Sequence, residues 1–464
     1  MTPHRSLTRL APLAAAALLA ACAQDAAVRR EAAPATPAAP ATFKPEAAPT
    51  AVACPKDVPA GTRCLGGTDS AGAHYLIAVP ADWNGHLVLH AHGGPLLGAP
   101  RPERVAEDLT RWSVTVKAGY AWAGSSFAQG GVAVRAAATD TERLRQLFRA
   151  HVGAPKRTIL HGQSWGASVA AVGASMYTAG KPYDAVLLTS GVLGGGTRSY
   201  DFRLDLRAIY QHLCGNHPRP TEAAYPLWMG LPKGSKMTTG ELQARTRECL
   251  GLGLPAAQRT PEQLRKTKLI TDVLKFPERN LQGHLNWATF HFRDLADRYG
   301  ERPVIGNRGA QYRGSGDDAA LTAAIDAAGF RYTADPAAVA AFAADADPDG
   351  RIPVPVLTVK GVNDAIAFVE LDHRFAQTMA AAGAGDRLVQ TFTNDSEHSF
   401  LSAPVYPALL ASLLDWVERG QKPTPATVAA RCESFKAGFG DGCRFLTDFQ
   451  PQPLDSRVTP RLRP

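Results

Sequence analysis

The residues with the clearest chemical potential lie at 161–166, where the sequence reads His-Gly-Gln-Ser-Trp-Gly. Gly162, Ser164 and Gly166 fit the pattern G-x-S-x-G, which follows an apolar run at 158–160 and precedes a stretch of small residues. A strand, a tight turn and a close-packed helix are the context in which this pattern lifts a serine hydroxyl above a sheet. The N-terminus of the helix behind the turn adds positive potential. The pattern therefore predicts a nucleophile at Ser164.

The elements around this turn alternate between strands and helices. Short β-rich runs at 74–79 and 86–90, separated by turn signals, predict a strand pair. Further strands are predicted at 120–126, 185–190, 354–359 and 387–392, and helices at 105–118, 371–382 and 406–419. Strands that alternate with helices imply right-handed crossovers and a mainly parallel sheet covered on both faces.

The alternation stops between about residues 197 and 350, where the sequence is helix-rich and aromatic. We interpret this segment as a cap inserted over the site, with a continuation of the core or a separate domain as the alternatives. The predicted parts are a signal peptide at 1–21, an Ala/Pro-rich tether at 22–53, a core at 54–196, the cap at 197–350, more core at 351–420 and a disulfide-closed tail at 421–464.

These features resemble an α/β-hydrolase from about Ala73 to Arg419, interrupted by the cap. The resemblance implies a mainly parallel central sheet with helices on both faces and an inserted helical cap. That family places its triad in the order serine, acid, histidine, which implies Ser164, Asp364 and His398 here. Asp364 lies just beyond a predicted strand, and His398 lies in the turn after the next strand.

Other residues compete for these roles. Asp372 and Asp395 are alternative acids, although Asp372 starts a predicted helix and Asp395 abuts the histidine's own loop. His373, the other histidine after Asp364, falls within that helix, so His398 is preferred. His161 precedes the turn in its strand and is interpreted as a packed core histidine.

Each member of the implied triad has a chemical role. A serine hydroxyl is a poor nucleophile at neutral pH, so His398 accepts its proton, and Asp364 fixes the imidazole tautomer. The tetrahedral intermediate needs two hydrogen-bond donors for its oxyanion. We expect the Trp165 N–H and an amide from the His-Gly-Gly-Pro run at 92–95, with Gly94 favoured and Gly93 next.

The substrate class stays open at this point. His-Gly-Gly-Pro together with Ser-Trp-Gly is similar to prolyl aminopeptidases and tripeptidyl peptidases, in which cap glutamates bind a free amino terminus. Glu222, Glu241 and Glu248 are present in the cap, but nothing in the sequence selects them. An aromatic, fairly apolar cap suits acyl or aryl esters. The expected activity is hydrolysis of small-molecule carboxylic esters through an acyl-enzyme, with a short-peptide exopeptidase and a non-catalytic binding protein as alternatives.

Composition excludes some classes of function. The formal charge of +8 is spread over 50 basic and 42 acidic residues, with no basic block beyond the short tail at 457–463, which argues against nucleic-acid binding. Acidic residues at 345–350 imitate the start of a calcium loop, but Val356 stands where a bidentate glutamate is needed. We predict no metal and no cofactor.

The N-terminus has the pattern of an export signal. Arg5 and Arg9 precede an apolar stretch at 10–21, which ends in Leu-Ala-Ala and Cys22. This resembles the lipobox of bacterial lipoproteins, so Cys22 is the expected lipid attachment site and the only membrane contact expected. An outer-membrane anchor is favoured, and an ordinary secretory peptide with a periplasmic or secreted product is the alternative.

The remaining six cysteines are even in number and suit an oxidising compartment. They fall into three local pairs, which predict three disulfide bonds: Cys54 to Cys64, Cys214 to Cys249 and Cys432 to Cys443.

Overall fold

A nine-stranded sheet runs through the protein, whose computed structural model describes residues 43–464. The strands are β1 (Thr50–Ala51), β2 (Arg63–Thr68), β3 (His74–Val79), β4 (His86–Ala91), β5 (Ala121–Ser125), β6 (Arg157–Gln163), β7 (Ala185–Thr189), β8 (Val356–Gly361) and β9 (Leu388–Thr393). Their order in space is β1-β2-β3-β5-β4-β6-β7-β8-β9. The pairs from β1 to β5 by way of β3 are antiparallel, and all others are parallel.

The helices that belong to the sheet connections are α1 (Pro102–Arg111), α2 (Ser113–Lys117), α3 (Val134–His151) and α4 (Trp165–Met176). Between β7 and β8 the chain forms α5 (Gly196–Ser199), α6 (Phe202–Cys214), α7 (Thr239–Leu250), α8 (Pro261–Leu274), α9 (Leu281–Asn286), a π-helical turn (Trp287–His291), α10 (Phe292–Arg298), α11 (Asp318–Ala327) and α12 (Pro336–Ala346). The C-terminal helices are α13 (Glu370–Ala381), α14 (Val405–Arg419) and α15 (Pro425–Phe439).

The sheet is covered on both faces because successive side chains of a strand point to opposite sides. In β4, Leu87 and Leu89 join the apolar cluster that contains residues of α3 and α4. Val88, between them, joins the cluster on the other side, to which Leu409 and Leu413 of α14 contribute. A strand buried on both faces reads as a continuous apolar run, as β4 does. The α/β-hydrolase fold implied by the resemblance is therefore confirmed.

Two local predictions are wrong. The strands β3 and β4 follow each other in sequence but are not paired, because β5 lies between them, antiparallel to β3 and parallel to β4. The turn signals after β3 mark a reversal of the chain, but they do not specify which strand becomes the neighbour. The helix predicted at 105–118 is two helices, α1 and α2, which meet at the buried Trp112.

The segment between β7 and β8, which is called the cap below, is helical wherever it has regular structure. Residues 43–53, which the sequence assigns to the tether, contact the body instead. Glu46 accepts hydrogen bonds from the backbone and hydroxyl of Ser70, and β1 pairs with β2. Cys22 and the expected signal peptide lie outside the described residues.

The three disulfide bonds are those that the local pairs predict: Cys54–Cys64, Cys214–Cys249 and Cys432–Cys443. The Cys214–Cys249 bond lies inside the cap and joins the ends of α6 and α7. Disulfide bonds of this kind persist in oxidising compartments outside the cytosol. Within residues 43–464, no helix is both long and apolar enough to cross a membrane.

Candidate active site

The turn between β6 and α4 holds Ser164 in a rare backbone conformation, with φ 57° and ψ −122°. Such values are costly for a residue with a side chain and persist only where the surroundings enforce them. Gly162 and Gly166 allow the close packing that does so. A Cβ atom at Gly162 would lie 2.2 Å from the carbonyl oxygen of Gly166, and one at Gly166 would lie 2.1 Å from that of Ala91. The two glycines of the pattern are therefore required by sterics.

The side chain of Ser164 is the first member of a hydrogen-bonded series. Its hydroxyl lies 2.7 Å from His398 Nε2, and His398 Nδ1 lies 2.8 Å from Asp364 Oδ2. Because the Asp364 carboxylate can only accept, Nδ1 carries the proton and Nε2 accepts from the serine. The structure thus brings together the three residues that the sequence implies. In space the histidine lies between the serine and the acid, although it comes last along the chain.

The loop after β8 fixes the Asp364 carboxylate. Oδ1 accepts hydrogen bonds from the backbone N–H groups of Ile366 at 2.8 Å and Ala367 at 3.0 Å, which leaves Oδ2 for His398. Asp364 is fully buried, whereas the His398 side chain is 19% exposed. The carboxylate is therefore fixed by two backbone N–H groups, and the histidine ring is partly exposed.

Both alternative acids have other partners. Asp372 pairs with the buried Lys360 of β8, and burial raises its pKa. The carboxylate of Asp395 pairs with Arg444, with 2.8 Å between Oδ1 and the arginine Nε. Neither carboxylate is hydrogen-bonded to His398. Of the three acids considered, Asp364 is the one that contacts the histidine.

His161 is a core residue, as the sequence analysis interprets it. Its Nδ1 lies 3.0 Å from His90 Nδ1, and its Nε2 lies 3.0 Å from Thr189 Oγ1. Burial lowers the pKa of His161 to about 3, so the ring is neutral at physiological pH. The residue joins three adjacent strands beneath the nucleophile and does not reach the reacting atoms.

The loop after β4 lies directly against the nucleophile at Gly93. A Cβ atom at Gly93 would lie 3.2 Å from Ser164 Cβ and 2.2 Å from Gln163 Oε1. At Gly94 the nearest atoms are instead Leu96 N and the ring of His92. The contacts therefore favour Gly93 as the residue that most needs to lack a side chain. Trp165 begins α4, which leaves its backbone N–H without a partner inside the helix.

Arg104 orients the peptide unit that joins Gly93 and Gly94. Its Nη2 donates to the Gly93 carbonyl oxygen at 3.2 Å and also pairs with Asp108 at 2.9 Å. His92 Nδ1 lies 2.6 Å from the same carbonyl oxygen. In a trans peptide the N–H points away from the C=O, so these contacts also set the direction of the Gly94 N–H. Both glycines remain predicted participants in an oxyanion hole.

Sequence reasoning missed Arg104 and also Gln163. The Gln163 amide is buried, contacts Gly93 and lies 3.4 Å from the hydroxyl of Ser399, next to the histidine. It thereby connects the loops of β4, β6 and β9. Its position directly before the serine is the signal that could have drawn attention to it, whereas nothing in the sequence links Arg104 to the loop it holds.

The cap contacts the loops on both sides of the relay, which here means Ser164, His398 and Asp364. His284 Nε2 donates to the Ala365 carbonyl oxygen at 2.9 Å, next to Asp364. His291 Nε2 donates to the Pro95 carbonyl oxygen at 3.0 Å, next to Gly94. Burial lowers the pKa of His291 to about 4, so it stays neutral. The chain from α9 to α10 thus spans from the loop after β8 that carries Asp364, called the acid loop below, to the loop after β4.

The three glutamates considered for binding an amino terminus are all engaged elsewhere. Glu222 is hydrogen-bonded to Arg245, and Glu248 to Arg219. Glu241 accepts from the backbone N–H of Thr238 at 2.6 Å and so caps the N-terminus of α7. All three are partly or largely exposed. None is a free carboxylate facing the relay.

The acidic cluster before β8 has structural partners. Asp345 accepts from the backbone N–H groups of Val134 and Arg135 at the start of α3. Asp347 accepts from the backbone and hydroxyl of Thr197 at 3.0 and 2.6 Å. These carboxylates therefore point at different elements. Within residues 43–464, no group of three or more His, Cys, Asp or Glu residues is arranged to hold a metal ion.

Comparison with known proteins adds little to this geometry. No family model matches the chain, and no curated protein matches it. Solved structures that are similar include feruloyl esterase B from Aspergillus oryzae, with 13% identity, a TM-score of 0.37, and 81% of this chain and 86% of that chain covered. A hormone-sensitive lipase from a metagenome library has 11% identity, a TM-score of 0.36, and 82% and 87% coverage. A puromycin hydrolase has 14% identity, a TM-score of 0.35, and 76% and 39% coverage. At such values no function transfers from these proteins to this chain.

Proposed function

We propose that the protein is a serine hydrolase that cleaves carboxylic esters through an acyl-enzyme on Ser164. The observation that carries this proposal is the series of hydrogen bonds from Ser164 through His398 to Asp364, with 2.7 and 2.8 Å between the bonded atoms. Buried structural networks do not require a serine in a strained conformation at the end of a strand. A nucleophile presented to a substrate does.

The reaction proceeds in two balanced halves. Ser164 Oγ bonds to the ester carbonyl carbon while its proton moves to His398 Nε2. The tetrahedral intermediate then expels the alcohol, which takes that proton, and the acyl group remains on Ser164. Water then attacks the acyl carbonyl carbon and gives a proton to His398; the second tetrahedral intermediate releases the carboxylic acid, and His398 returns the proton to Ser164 Oγ. Asp364 stabilises the imidazolium in both halves without taking its proton.

The negative charge on the carbonyl oxygen requires donors that are already in place. The Trp165 N–H at the start of α4 is one, and an amide of Gly93 or Gly94 is the other. Arg104 supports the Gly94 amide in this role, because it holds the Gly93 carbonyl oxygen of the same peptide unit. Removing one such donor typically costs about 100- to 1000-fold in kcat.

An ester substrate is favoured over the free amino terminus of a peptide. An exopeptidase of prolyl aminopeptidase type needs an unpaired carboxylate to bind the substrate ammonium group. The cap acids considered for that role bind Arg245, Arg219 and the N-terminus of α7. The side of the cap next to the loops carries aromatic rings instead, among them Tyr200 and Trp287, whose centroids are 4.2 Å apart.

A fluorophosphonate probe tests the nucleophile. We expect the native protein to be labelled and the Ser164→Ala variant not to be, with Ser168→Ala as the matched control because Ser168 is a buried serine of α4. Labelling that persists in Ser164→Ala would overturn the assignment. Comparing p-nitrophenyl acetate with a prolyl-naphthylamide separates the two substrate classes, and faster turnover of the amide would favour the exopeptidase.

We further propose that the protein is exported and anchored to the bacterial outer membrane through a lipid on Cys22. The lipobox-like sequence before Cys22 and the three disulfide bonds of the body support this placement. We expect the protein to fractionate with outer membranes and the Cys22→Ser variant to lose the lipid, as measured by mass spectrometry of the mature N-terminus. An unmodified N-terminus at another residue would show an ordinary secretory signal.

A further inference from the structure

Arg203, at the start of α6, is a buried arginine without an acidic partner. It is 4% exposed, and its one hydrogen bond runs from Nη1 to the Ser199 carbonyl oxygen at 3.3 Å. Its Nε is buried and has no hydrogen-bond partner. Within residues 43–464, no carboxylate oxygen forms an ion pair with it. An isolated buried charge is costly, so a fold keeps one only where something offsets the cost.

A second buried arginine, Arg461, has the acidic partners that Arg203 lacks. Arg461 is equally inaccessible and contacts two carboxylates, Asp205 at 2.6 Å and Asp201 at 3.5 Å. Asp201, which like Asp205 is two residues from Arg203 in sequence, also pairs with Arg463 at 2.7 Å. Asp201 and Asp205 therefore pair with arginines of the C-terminal tail, and neither forms an ion pair with Arg203.

Aromatic rings enclose the Arg203 guanidinium. Its Cζ lies 4.7 Å from the Trp287 ring centre, 4.6 Å from that of Phe202 and 5.3 Å from that of Tyr200. Rings at these distances stabilise a cation through its faces but do not satisfy the N–H donors in its plane. Burial lowers the pKa of Arg203 to about 10, so it remains charged at neutral pH.

The same rings connect the guanidinium to the loops that flank the relay. Trp287 stacks on His291, which donates to Pro95 in the loop after β4. Phe202 packs 4.8 Å from Phe368 in the acid loop, measured between ring centres. Arg203 therefore lies between the two contacts that join the cap to the loops around Ser164.

We propose that Arg203 binds an anionic carboxylate group of the substrate, held under the cap while Ser164 attacks an ester carbonyl. This inference rests on the proposed function and names its substrate class, an ester with a second, free carboxylate. A guanidinium presents its N–H donors in a plane that matches the two oxygens of a carboxylate, and the aromatic rings exclude competing water. Binding would provide the partner that the fold does not.

Two pairs of esters test this proposal. They also show whether the free carboxylate belongs to the acyl part or to the alcohol part of the substrate. The acyl pair is mono-p-nitrophenyl glutarate and its methyl ester. The alcohol pair is 4-acetoxybenzoate and its methyl ester. In the wild-type protein, we expect kcat/KM to favour the free carboxylate in one pair by about 10- to 100-fold, the range of a charge-assisted hydrogen bond. The pair that shows the preference identifies the acyl or the alcohol side.

Arg203→Gln should abolish the preference, measured as the ratio of kcat/KM between the two esters of a pair, whereas Arg203→Lys should keep part of it. The matched control is Arg331→Gln, because Arg331 is also stacked on a cap ring, 4.7 Å from Tyr312, but is bonded to Asp326. This control should keep the full preference. A wild-type protein without preference in either pair, or a preference that survives in Arg203→Gln, would overturn the inference.

The wild-type comparison needs no variant, so it decides the question even if Arg203→Gln does not fold. Failure of the proposed function is a separate result. It would appear as neutral-ester turnover that survives in Ser164→Ala, whereas failure of this inference alone leaves Ser164-dependent hydrolysis intact and only removes the carboxylate preference.

Discussion

The relay and the cap differ in how completely one central charged group of each is hydrogen-bonded. In the relay, both oxygens of the Asp364 carboxylate are bonded: Oδ1 accepts from the backbone N–H groups of Ile366 and Ala367, and Oδ2 accepts from His398. In the cap, Arg203 keeps an unpartnered Nε, and the Nδ1 atom of His291 is also buried without a partner. Full partnering fixes the Asp364 carboxylate in place, whereas the unpartnered Arg203 Nε is a donor for the substrate carboxylate that we propose. The comparison therefore assigns the chemical step to the relay and substrate recognition to the cap.

The largest effect is expected for a substitution in the relay. Asp364→Asn should lower kcat by about 1000- to 10000-fold, because an amide no longer holds the imidazole in the required tautomer. The matched control is Asp395→Asn, since Asp395 is a buried acid in the same region whose partner is Arg444. We expect this control to stay within about tenfold in steady-state ester hydrolysis. A larger loss of kcat in Asp395→Asn than in Asp364→Asn would show that Asp364 is not the acid of the relay.

A methyl group next to the nucleophile should cost somewhat less. Gly93→Ala would place a Cβ atom against Gln163 and Ser164, which displaces the oxyanion donors and lowers kcat by roughly 100- to 1000-fold. Gly283→Ala is the control, because no atom lies within 4 Å of a Cβ at that helical position. Circular dichroism melting should show both variants folded. A Gly93→Ala protein with native kcat would remove this loop from the oxyanion hole.

On the cap side, loss of the disulfide bond between α6 and α7 should affect stability more than chemistry. Replacing Cys214 and Cys249 by serine opens a loop with a sequence separation of 35 and should cost about 3 to 4 kcal/mol in the free energy of unfolding. The equivalent replacement of Cys432 and Cys443, with a separation of 11, should cost about 1 kcal/mol less. Urea unfolding measures both. Equal stability of the first variant and the native protein would contradict a cap tied together by this bond.

The smallest effect concerns pH and His291. Its pKa is lowered by burial to about 4 from the ordinary 6.5, so between these values the unfolded chain binds a proton that the folded protein does not. Stability should therefore fall as pH decreases from 6.5 towards 4, by up to about 1.4 kcal/mol per pH unit from this group.

Thermal unfolding of His291→Gln across that range should show a shallower loss than the native protein. The exposed His212 provides the control, because His212→Gln should follow the native pH dependence. Parallel curves for all three proteins would mean that His291 is not held neutral in the cap.

Local sequence signals account for much of the fold and of the relay. The serine turn is specified within residues 161–166, because two glycines and the flanking strand and helix are all near it in sequence. Asp364 and His398 each follow a strand, so their places at the edge of the sheet follow from chain order. The three disulfide bonds join cysteines that are close in sequence.

Other features depend on contacts between distant segments and leave no local pattern. The insertion of β5 between β3 and β4 is decided by the crossover through α1 and α2. Arg203 reads as one more charge on a helix until α6 packs against Trp287 and the C-terminal tail occupies Asp201. The closer approach of Gly93 than Gly94 to Ser164 depends on how the loop after β4 turns.

Trapping the acyl-enzyme tests the central claim most directly. The protein is mixed with p-nitrophenyl acetate, quenched in acid during the burst of nitrophenol, digested and analysed by mass spectrometry. We expect one acetyl group on the peptide that contains Ser164, localised to that residue, and no adduct in the Ser164→Ala variant. A burst with the acetyl group on another residue, or turnover without any adduct in the native protein, would contradict it.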